Sequence, residues 1–342
     1  DIAELNENWA GMIAKFYTSN DSIVVNNVKP AKFFDDEMEI VEDVLVNDEE
    51  FWQKHRHDTL TESEQKVFAT VDSMRNIPLV KTYVDIIYFV VNGHQRIGKN
   101  IEIGPYVTTY SYNEVEEHRF KLGFRSTLDF SKKLMYNGYL AFSTGTTKWN
   151  DKPEWKYKGE MRYVPSKKPW TEMGMFYKHD IEQLGLMGQQ FDENGLFLAF
   201  SGWGELRQPF MLSTGEFYFQ RDLFKGFSQR LEGRNRKFSP RYNFAYIFEN
   251  EDGIVEQRND LTTSEVTLTT RYAHNERFLY LDNDRISLGT KKWPIFKAKY
   301  TLGLNDMLDS QFEYQKAEFE ISQQIRLGSF GNTSYTGTVG KV

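Results

Sequence analysis

Residues 155–163 read Trp155-Lys156-Tyr157-Lys158-Gly159-Glu160-Met161-Arg162-Tyr163, so apolar residues or glycine alternate with charged residues at every position. Successive side chains of a β-strand point to opposite faces, and this stretch therefore predicts a strand with one apolar and one ionic face. The same alternation recurs after about residue 100, for example with Phe120, Leu122 and Phe124 against Arg119, Lys121 and Arg125, and with Ala317, Phe319, Ile321 and Ile325 against Lys316, Glu318, Glu320 and Arg326. A long antiparallel meander of such strands either closes into a barrel or leaves exposed edges.

The composition limits the class of protein. Mean hydropathy is −0.61, and no apolar run reaches the roughly twenty residues that a membrane-spanning helix needs. Low hydropathy is compatible with a membrane barrel, because only alternate residues of each strand face lipid. Aromatic residues make up 15% of the 342 residues, which suits strands and interfacial girdles. Cysteine is absent, which excludes disulfides, and the net charge of −7 argues against nucleic acid as a partner.

The first hundred residues follow a different pattern, and we expect a small α/β region over 1–97. An apolar stripe at helical spacing predicts a helix near the start (Ile2, Leu5, Trp9, Met12, Ile13 and Phe16), and 35–50 shows a weak strand pattern. Thr61 followed by Glu64 is a capping-box signature for a second helix, which Pro78 ends. Its apolar stripe is Val67, Phe68, Val71 and Met74. Residues 79–92 fit either a helix or a first strand.

From residue 98 onward we expect a β-barrel domain, 98–342. The predicted strands are 101–112, 118–127, 133–144, 154–164, 170–178, 212–223, 225–238, 262–274, 293–304, 312–327 and 333–342. Tight turns are expected at 129–132 and 327–332, whereas 179–211 and 240–261 are long connections. An antiparallel meander changes sides at every connection, so the tight turns share one end and the long connections the other. In an outer-membrane barrel those ends are periplasmic and extracellular, respectively.

An ordered set of motifs resembles a family of Bacteroidota outer-membrane β-barrels whose members usually carry an N-terminal carboxypeptidase-regulatory-like domain. The set is Asp48-Glu49-Glu50-Phe51-Trp52, Arg56, Leu60, Glu64, Asp72, Gly98-Lys99, Ile103-Gly104-Pro105, Tyr112-Asn113, Glu117, Arg119, Leu122-Gly123, Glu216-Phe217-Tyr218-Phe219, Gly226-Phe227-Ser228, Arg236, Phe238-Ser239-Pro240, Thr262-Thr263-Ser264-Glu265, Arg271-Tyr272-Ala273 and Ile286-Ser287-Leu288-Gly289. The resemblance spans about 45–342. It implies an all-β, antiparallel transmembrane barrel in the outer membrane of a Bacteroidota species, with the small α/β region 1–97 in the periplasm. It implies no reaction.

The sequence departs from the pattern of this family in two ways. The 342 residues begin without a regulatory-like domain, and they end at Val342, where members of the family continue for more strands. Eleven predicted strands is an odd number, whereas single-chain bacterial barrels have even numbers. We therefore expect the barrel to be incomplete in this chain.

Charged residues at alternate positions of the predicted strands are expected to face the lumen of the barrel. They are Arg119, Lys121, Arg125, Arg230, Glu232, Arg234, Arg236, Lys316, Glu318, Glu320 and Arg326. Both signs are mixed, which favours a salt-bridged, filled interior over a single-sign ion filter. The alternative is the solvated face of a soluble sheet.

Few motifs suggest a specific site. His55 and His57 could form a metal pair on a strand, but no third ligand lies nearby in the sequence and we expect no metal. The glycine-containing stretches 185–188 and 202–204 lie in a long connection, where a binding loop or plug is possible. No catalytic motif is present, so we expect no catalytic residues, no cofactor and no enzyme activity.

The sequence therefore predicts a non-catalytic outer-membrane barrel. Its partners would be outer-membrane lipid and other envelope proteins of unknown identity, with a role as accessory or scaffold subunit in outer-membrane protein assembly or surface lipoprotein export. One alternative is a channel or transporter for small solutes. Another is a surface β protein that binds glycan through exposed aromatic residues.

Overall fold

The computed structural model of the chain describes residues 23–25, 27–28, 38–39, 51–52, 54, 61–145, 153–183, 206, 208–249, 255–281, 283–290, 292–326 and 331–342. The predicted first helix, the pair His55 and His57, and the stretches 185–188 and 202–204 lie outside these residues. The chain divides into two compact units, one of residues 1–36 and 41–81 and the other of residues 37–40 and 82–342. The sequence-based boundary after residue 97 stays a prediction. No helix in the described part of the chain is both long and apolar enough to cross a membrane.

The capping box at Thr61 is confirmed. Helix α1 spans Glu62–Arg75, the Thr61 hydroxyl accepts a hydrogen bond from the Glu64 amide, and the Glu64 carboxylate accepts one from the Thr61 amide at 2.8 Å. A further hydrogen bond from the Thr61 hydroxyl lowers the pKa of Glu64. The ambiguous segment after α1 is helical, and α2 begins at Pro78 and ends at Asn92. Proline suits a first helical position, because the amide it lacks would be unpaired there.

One large antiparallel sheet dominates the second unit. It contains β2 (Gln95–Ile97), β3 (Ile101–Ile103), β4 (Tyr110–Asn113), β5 (Glu117–Ser126), β6 (Leu134–Ser143), β7 (Glu154–Lys167), β8 (Trp170–Gln183), β9 (Pro209–Phe224), β10 (Phe227–Pro240), β13 (Leu261–Ala273), β16 (Ile295–Gly303), β17 (Tyr314–Arg326) and β18 (Asn332–Lys341). The strands pair in the order β18-β17-β16-β13-β10-β9-β8-β7-β6-β5-β3-β2, with β4 also on β5. Within the described ranges no pairing joins β18 to β2.

Two small sheets accompany the large one. Strands β14 (Phe278–Leu281) and β15 (Asp284–Ser287) form a hairpin, and β1 (Met38–Glu39) pairs in parallel with β14. Strands β11 (Tyr246–Glu249) and β12 (Val255–Arg258) form a second hairpin. The two hairpins lie in connections between the long strands, whereas β1 precedes them all in the chain.

The alternating segments became strands where the sequence predicted them, from β5 to β18, within a few residues at each end. The prediction of one strand over 101–112 was wrong, because a 3-10 turn at Tyr106–Thr108 separates β3 from β4. Pro105 has no amide hydrogen to donate to a ladder, so a continuous strand is unfavourable there. The hairpin β14–β15 was not predicted.

The connections differ between the two ends of the sheet. At one end, which we call the short-turn end, β5 joins β6 through 127–133, β7 joins β8 through 168–169, and β9 joins β10 through 225–226. At the other end, the long-loop end, β8 joins β9 through 184–208 and β10 joins β13 through 241–260. This is the arrangement that the sequence predicted. The β13–β16 connection differs from its neighbours at the short-turn end because it contains the hairpin β14–β15.

Glycine is required where β5 approaches the interrupted edge of the sheet. The Gly104 amide donates a hydrogen bond to the Gly123 carbonyl at 3.0 Å, and a Cβ atom added at Gly123 would lie 2.1 Å from the Gly104 carbonyl oxygen. Real Cβ atoms do not come this close to backbone, so a side chain at Gly123 must displace the segment around Gly104.

The substitution Gly123→Ala is expected to destabilise the fold by about 1 to 3 kcal/mol, the usual cost of inserting atoms into a packed site. Gly159→Ala is the matched control, because a Cβ there meets no atom within 4 Å. The control should be neutral or slightly stabilising, since glycine weakens a strand interior. Urea unfolding of both variants measures the difference, and equal midpoints would contradict the close approach.

Candidate functional site

The charged side chains predicted to share a face do so. Cross-strand register places Ala141 opposite Lys156, and Arg234 opposite both Glu216 and Glu265. We call this the ionic face of the sheet and the opposite one the apolar face. The ionic face is the candidate functional site, because its side chains form connected clusters.

The first cluster lies toward the long-loop end and centres on Asp180 of β8. The Arg119 guanidinium of β5 donates two hydrogen bonds to the Asp180 carboxylate, at 2.6 and 2.7 Å, and the Tyr139 hydroxyl of β6 donates a third. Asp180 is buried. This fork geometry is the strongest form of an arginine–carboxylate contact.

Glu116 connects Arg119 to a buried lysine. The Glu116 carboxylate lies 2.9 Å from an Arg119 Nη1 atom and 2.9 Å from the Lys156 ammonium, and it also accepts a hydrogen bond from the Asn113 side chain. Lys156 is 0% exposed, and its ammonium donates to the Ser143 hydroxyl at 2.6 Å. A buried ammonium without partners would cost several kcal/mol, and these contacts supply the partners that the burial of Lys156 requires.

The first cluster holds two cations, Arg119 and Lys156, and two carboxylates, Glu116 and Asp180. It is therefore electrically balanced. Its members span β5 to β8, which are three strand spacings apart or about 14 Å on a flat sheet. A direct hydrogen bond from Arg119 to Asp180 over that span favours a sheet that curves toward its ionic face.

The second cluster lies on β9 and β10. Arg230 is 3.1 Å from Glu216 and 3.1 Å from Glu232, while Arg234 donates to Glu216 at 3.0 Å and contacts Glu232. The Arg230 guanidinium also stacks over Tyr218, 3.6 Å from the ring centroid. Two arginines and two glutamates again balance each other.

The other predicted lumen charges also have partners on the ionic face. The contacts are Arg125 to Glu102 at 2.7 Å, Arg236 to Glu265 at 2.6 Å, Lys316 to Glu318 at 3.1 Å, Glu320 to Lys297 at 3.8 Å, and Lys121 over the Tyr139 ring at 4.1 Å. Arg326 ends β17, and its side chain lies outside the described ones. The pairing matches the expected mixed-sign, salt-bridged face.

The sequence missed the residues that connect the first cluster. Asp180 fell outside the predicted strand 170–178, although β8 continues to Gln183. The alternation of Lys178, Asp180 and Glu182 would have extended that strand. Glu116 lies in the turn between β4 and β5, where no periodic signal identifies it.

The ionic face has the properties of a filled surface. The charges satisfy one another, and among the described residues no three histidine or acidic side chains come together as a metal site would require. A single-sign channel lining would leave one charge uncompensated, unlike either cluster. The face is thus suited to holding strands in register.

Comparison with known protein families gives a match to part of the chain. The sequence model described as the C-terminal domain of a family of unknown function (DUF5686) matches residues 197–341. The match covers β9 to β18, less than half of the chain. None of the curated proteins and none of the solved structures that were compared matches the chain.

The substitution Lys156→Met should destabilise the protein by about 3 to 5 kcal/mol, because it removes one partner of a buried ion pair and leaves Glu116 undercompensated. Lys316→Met is the matched control, since the Lys316–Glu318 pair is largely exposed and should contribute less than about 1 kcal/mol. Chemical unfolding of both variants measures the costs. Glu116→Gln added to Lys156→Met should recover part of the loss, and equal costs for the two lysines would contradict a buried charge at Lys156.

Proposed function

We propose that the large sheet is the wall of a β-barrel in the outer membrane of a Gram-negative bacterium. The apolar face would contact lipid and the ionic face would line the interior. The N-terminal region and the short-turn end would be periplasmic, and the long-loop end extracellular. The protein would act without catalysis, as an accessory or scaffold subunit of an envelope complex.

The observation that carries this proposal is the exposed apolar face. Large apolar side chains are exposed on strand after strand: Phe120, Leu122, Leu140, Trp155, Tyr157, Met161, Tyr163, Met175, Tyr177, Phe217, Leu231, Leu268, Tyr300, Phe319 and Val339. Soluble proteins rarely expose contiguous apolar patches beyond a few hundred Å². Lipid is the partner that fits a surface of this breadth.

Aromatic side chains near both ends of the strands add support. Tyr157 and Tyr177 stack at 5.8 Å toward the long-loop end, and Phe224 stacks on Phe227 at 4.6 Å at the short-turn end. Tyrosine and tryptophan concentrate at the two membrane–water interfaces of transmembrane barrels.

The ionic face supports a scaffold role over a wide pore. Solutes move through a porin lumen because it stays open and hydrated, whereas both clusters on the ionic face are internally neutralised. Partner proteins would then contact the molecule at its loops, its N-terminal region or its lipid-facing surface.

Extraction of native membranes tests the location. We expect alkaline carbonate to leave the protein in the pellet and detergent to release it together with other envelope proteins. Release by carbonate alone would overturn the proposal in favour of a soluble or surface-bound glycan-binding protein. Recovery from detergent as a single species, with surface proteins unchanged after depletion, would overturn the scaffold role.

Replacing Met161 by arginine tests which face meets lipid. Met161→Arg should cost about 2 to 4 kcal/mol if the site lies near the bilayer midplane. Glu160→Arg is the control, because its side chain belongs to the ionic face of the same strand. Folding into lipid vesicles followed by denaturant titration compares the two, and equal tolerance would contradict the lipid-facing assignment.

A further inference from the structure

The hairpin β14–β15 is a distinct feature of the short-turn end. Its strands pair from Phe278 with Ser287 to Leu281 with Asp284. The neighbouring connections at this end within the described residues carry no strands. The contacts of the hairpin show which part of the sheet it covers.

The base of the hairpin is fixed to β13. The buried Glu276 carboxylate accepts two hydrogen bonds from the Arg271 guanidinium, at 2.6 and 2.7 Å, and one from the Ser287 hydroxyl. Arg271 lies on the ionic face, opposite Lys297 of β16. The hairpin therefore starts from the ionic side of the sheet.

The middle of the hairpin packs on the ends of β7, β8 and β9. Tyr280 is buried with Val164 and Trp170 in the one apolar core cluster that the described residues form. Arg285 lies between two rings, 4.9 Å from the Trp170 centroid and 4.3 Å from the Phe278 centroid. Its guanidinium also pairs with Asp222 at the end of β9.

The tip of the hairpin contacts residues of β7 and of the β5–β6 turn, several strands away from β13, where the hairpin begins. Asn283 is buried, and its side-chain amide donates to the Ser131 carbonyl in the β5–β6 turn at 3.3 Å. The Asn283 carbonyl accepts from Arg162 of β7, which also pairs with Asp284. On a flat sheet, β13 and β6 would be about 24 Å apart, five strand spacings.

We propose that the hairpin β14–β15 is a plug that closes the interior of the barrel to solutes at the short-turn end. This inference rests on the proposed membrane location. Four of its strand contacts, Arg162, Trp170, Asp222 and Arg271, have the parity of the ionic face. The fifth, Val164, packs in the same cluster as Trp170. A solute crossing the interior would have to displace a hairpin anchored at its base, middle and tip.

Planar-bilayer recording of the purified full chain tests the plug. We expect no conductance steps from the wild type. Replacing Phe278–Ser287 by a glycine–serine linker should produce steps, and Arg285→Ala should produce intermittent ones. Arg277→Ala is the matched control, because this exposed arginine lies just before the hairpin and should behave as wild type. Equal conductance of wild type and the linker variant would overturn the plug.

A labelling experiment separates the plug from the membrane location. The chain has no cysteine, so Val164→Cys gives one thiol beneath Tyr280. In detergent, a maleimide should react at least about tenfold faster when the hairpin is replaced by the linker, since thiol reactivity follows access. Equal rates would overturn the plug even if the protein inserts into bilayers. If the hairpin shields the thiol but the protein fails to insert into bilayers, the proposed membrane location is overturned, and closure of a barrel with it. That result would still show that the hairpin covers Val164.

Discussion

The sheet depends on the pairing of its buried charges, and the contact between Arg119 and Asp180 is the clearest example. Glu116, Lys156 and Asp180 are buried, and a buried charge without an opposite charge costs several kcal/mol. A shift of one residue in the pairing would move every charge of a strand to the apolar face. The ion pairs and the apolar surface therefore specify the same register, and Lys156 can be wholly buried only because both are satisfied.

Much of this sheet could be predicted because its signal is local. Alternation in 154–164 places Lys156 and Met161 on opposite faces without knowledge of any other strand. The prediction failed at 101–112, where Gly104 and Pro105 interrupt a plausible strand. It also missed four-residue strands such as Phe278–Leu281, which are too short to show a period.

The partners within the site could not be predicted for a different reason. Arg119 and Asp180 are 61 positions apart, and Arg162 and Asp284 are 122 apart. Parity assigns each charge to a face, but the identity of its partner depends on strand register and on curvature. Sequence alone therefore predicted a neutralised face and could not identify Glu116 as the carboxylate shared by Arg119 and Lys156.

The ionic face is held by different contacts at its two ends, and in the proposed barrel this difference bears on function. Toward the long-loop end, the strands themselves provide the balanced cluster around Asp180 and Glu116. At the short-turn end, a separate hairpin supplies Arg285 and Tyr280. A hairpin can move without breaking the sheet ladder, whereas the Asp180 cluster cannot separate without moving strands. Opening of the proposed barrel at the short-turn end would therefore require movement of the hairpin alone and would leave the strand pairing of the sheet intact.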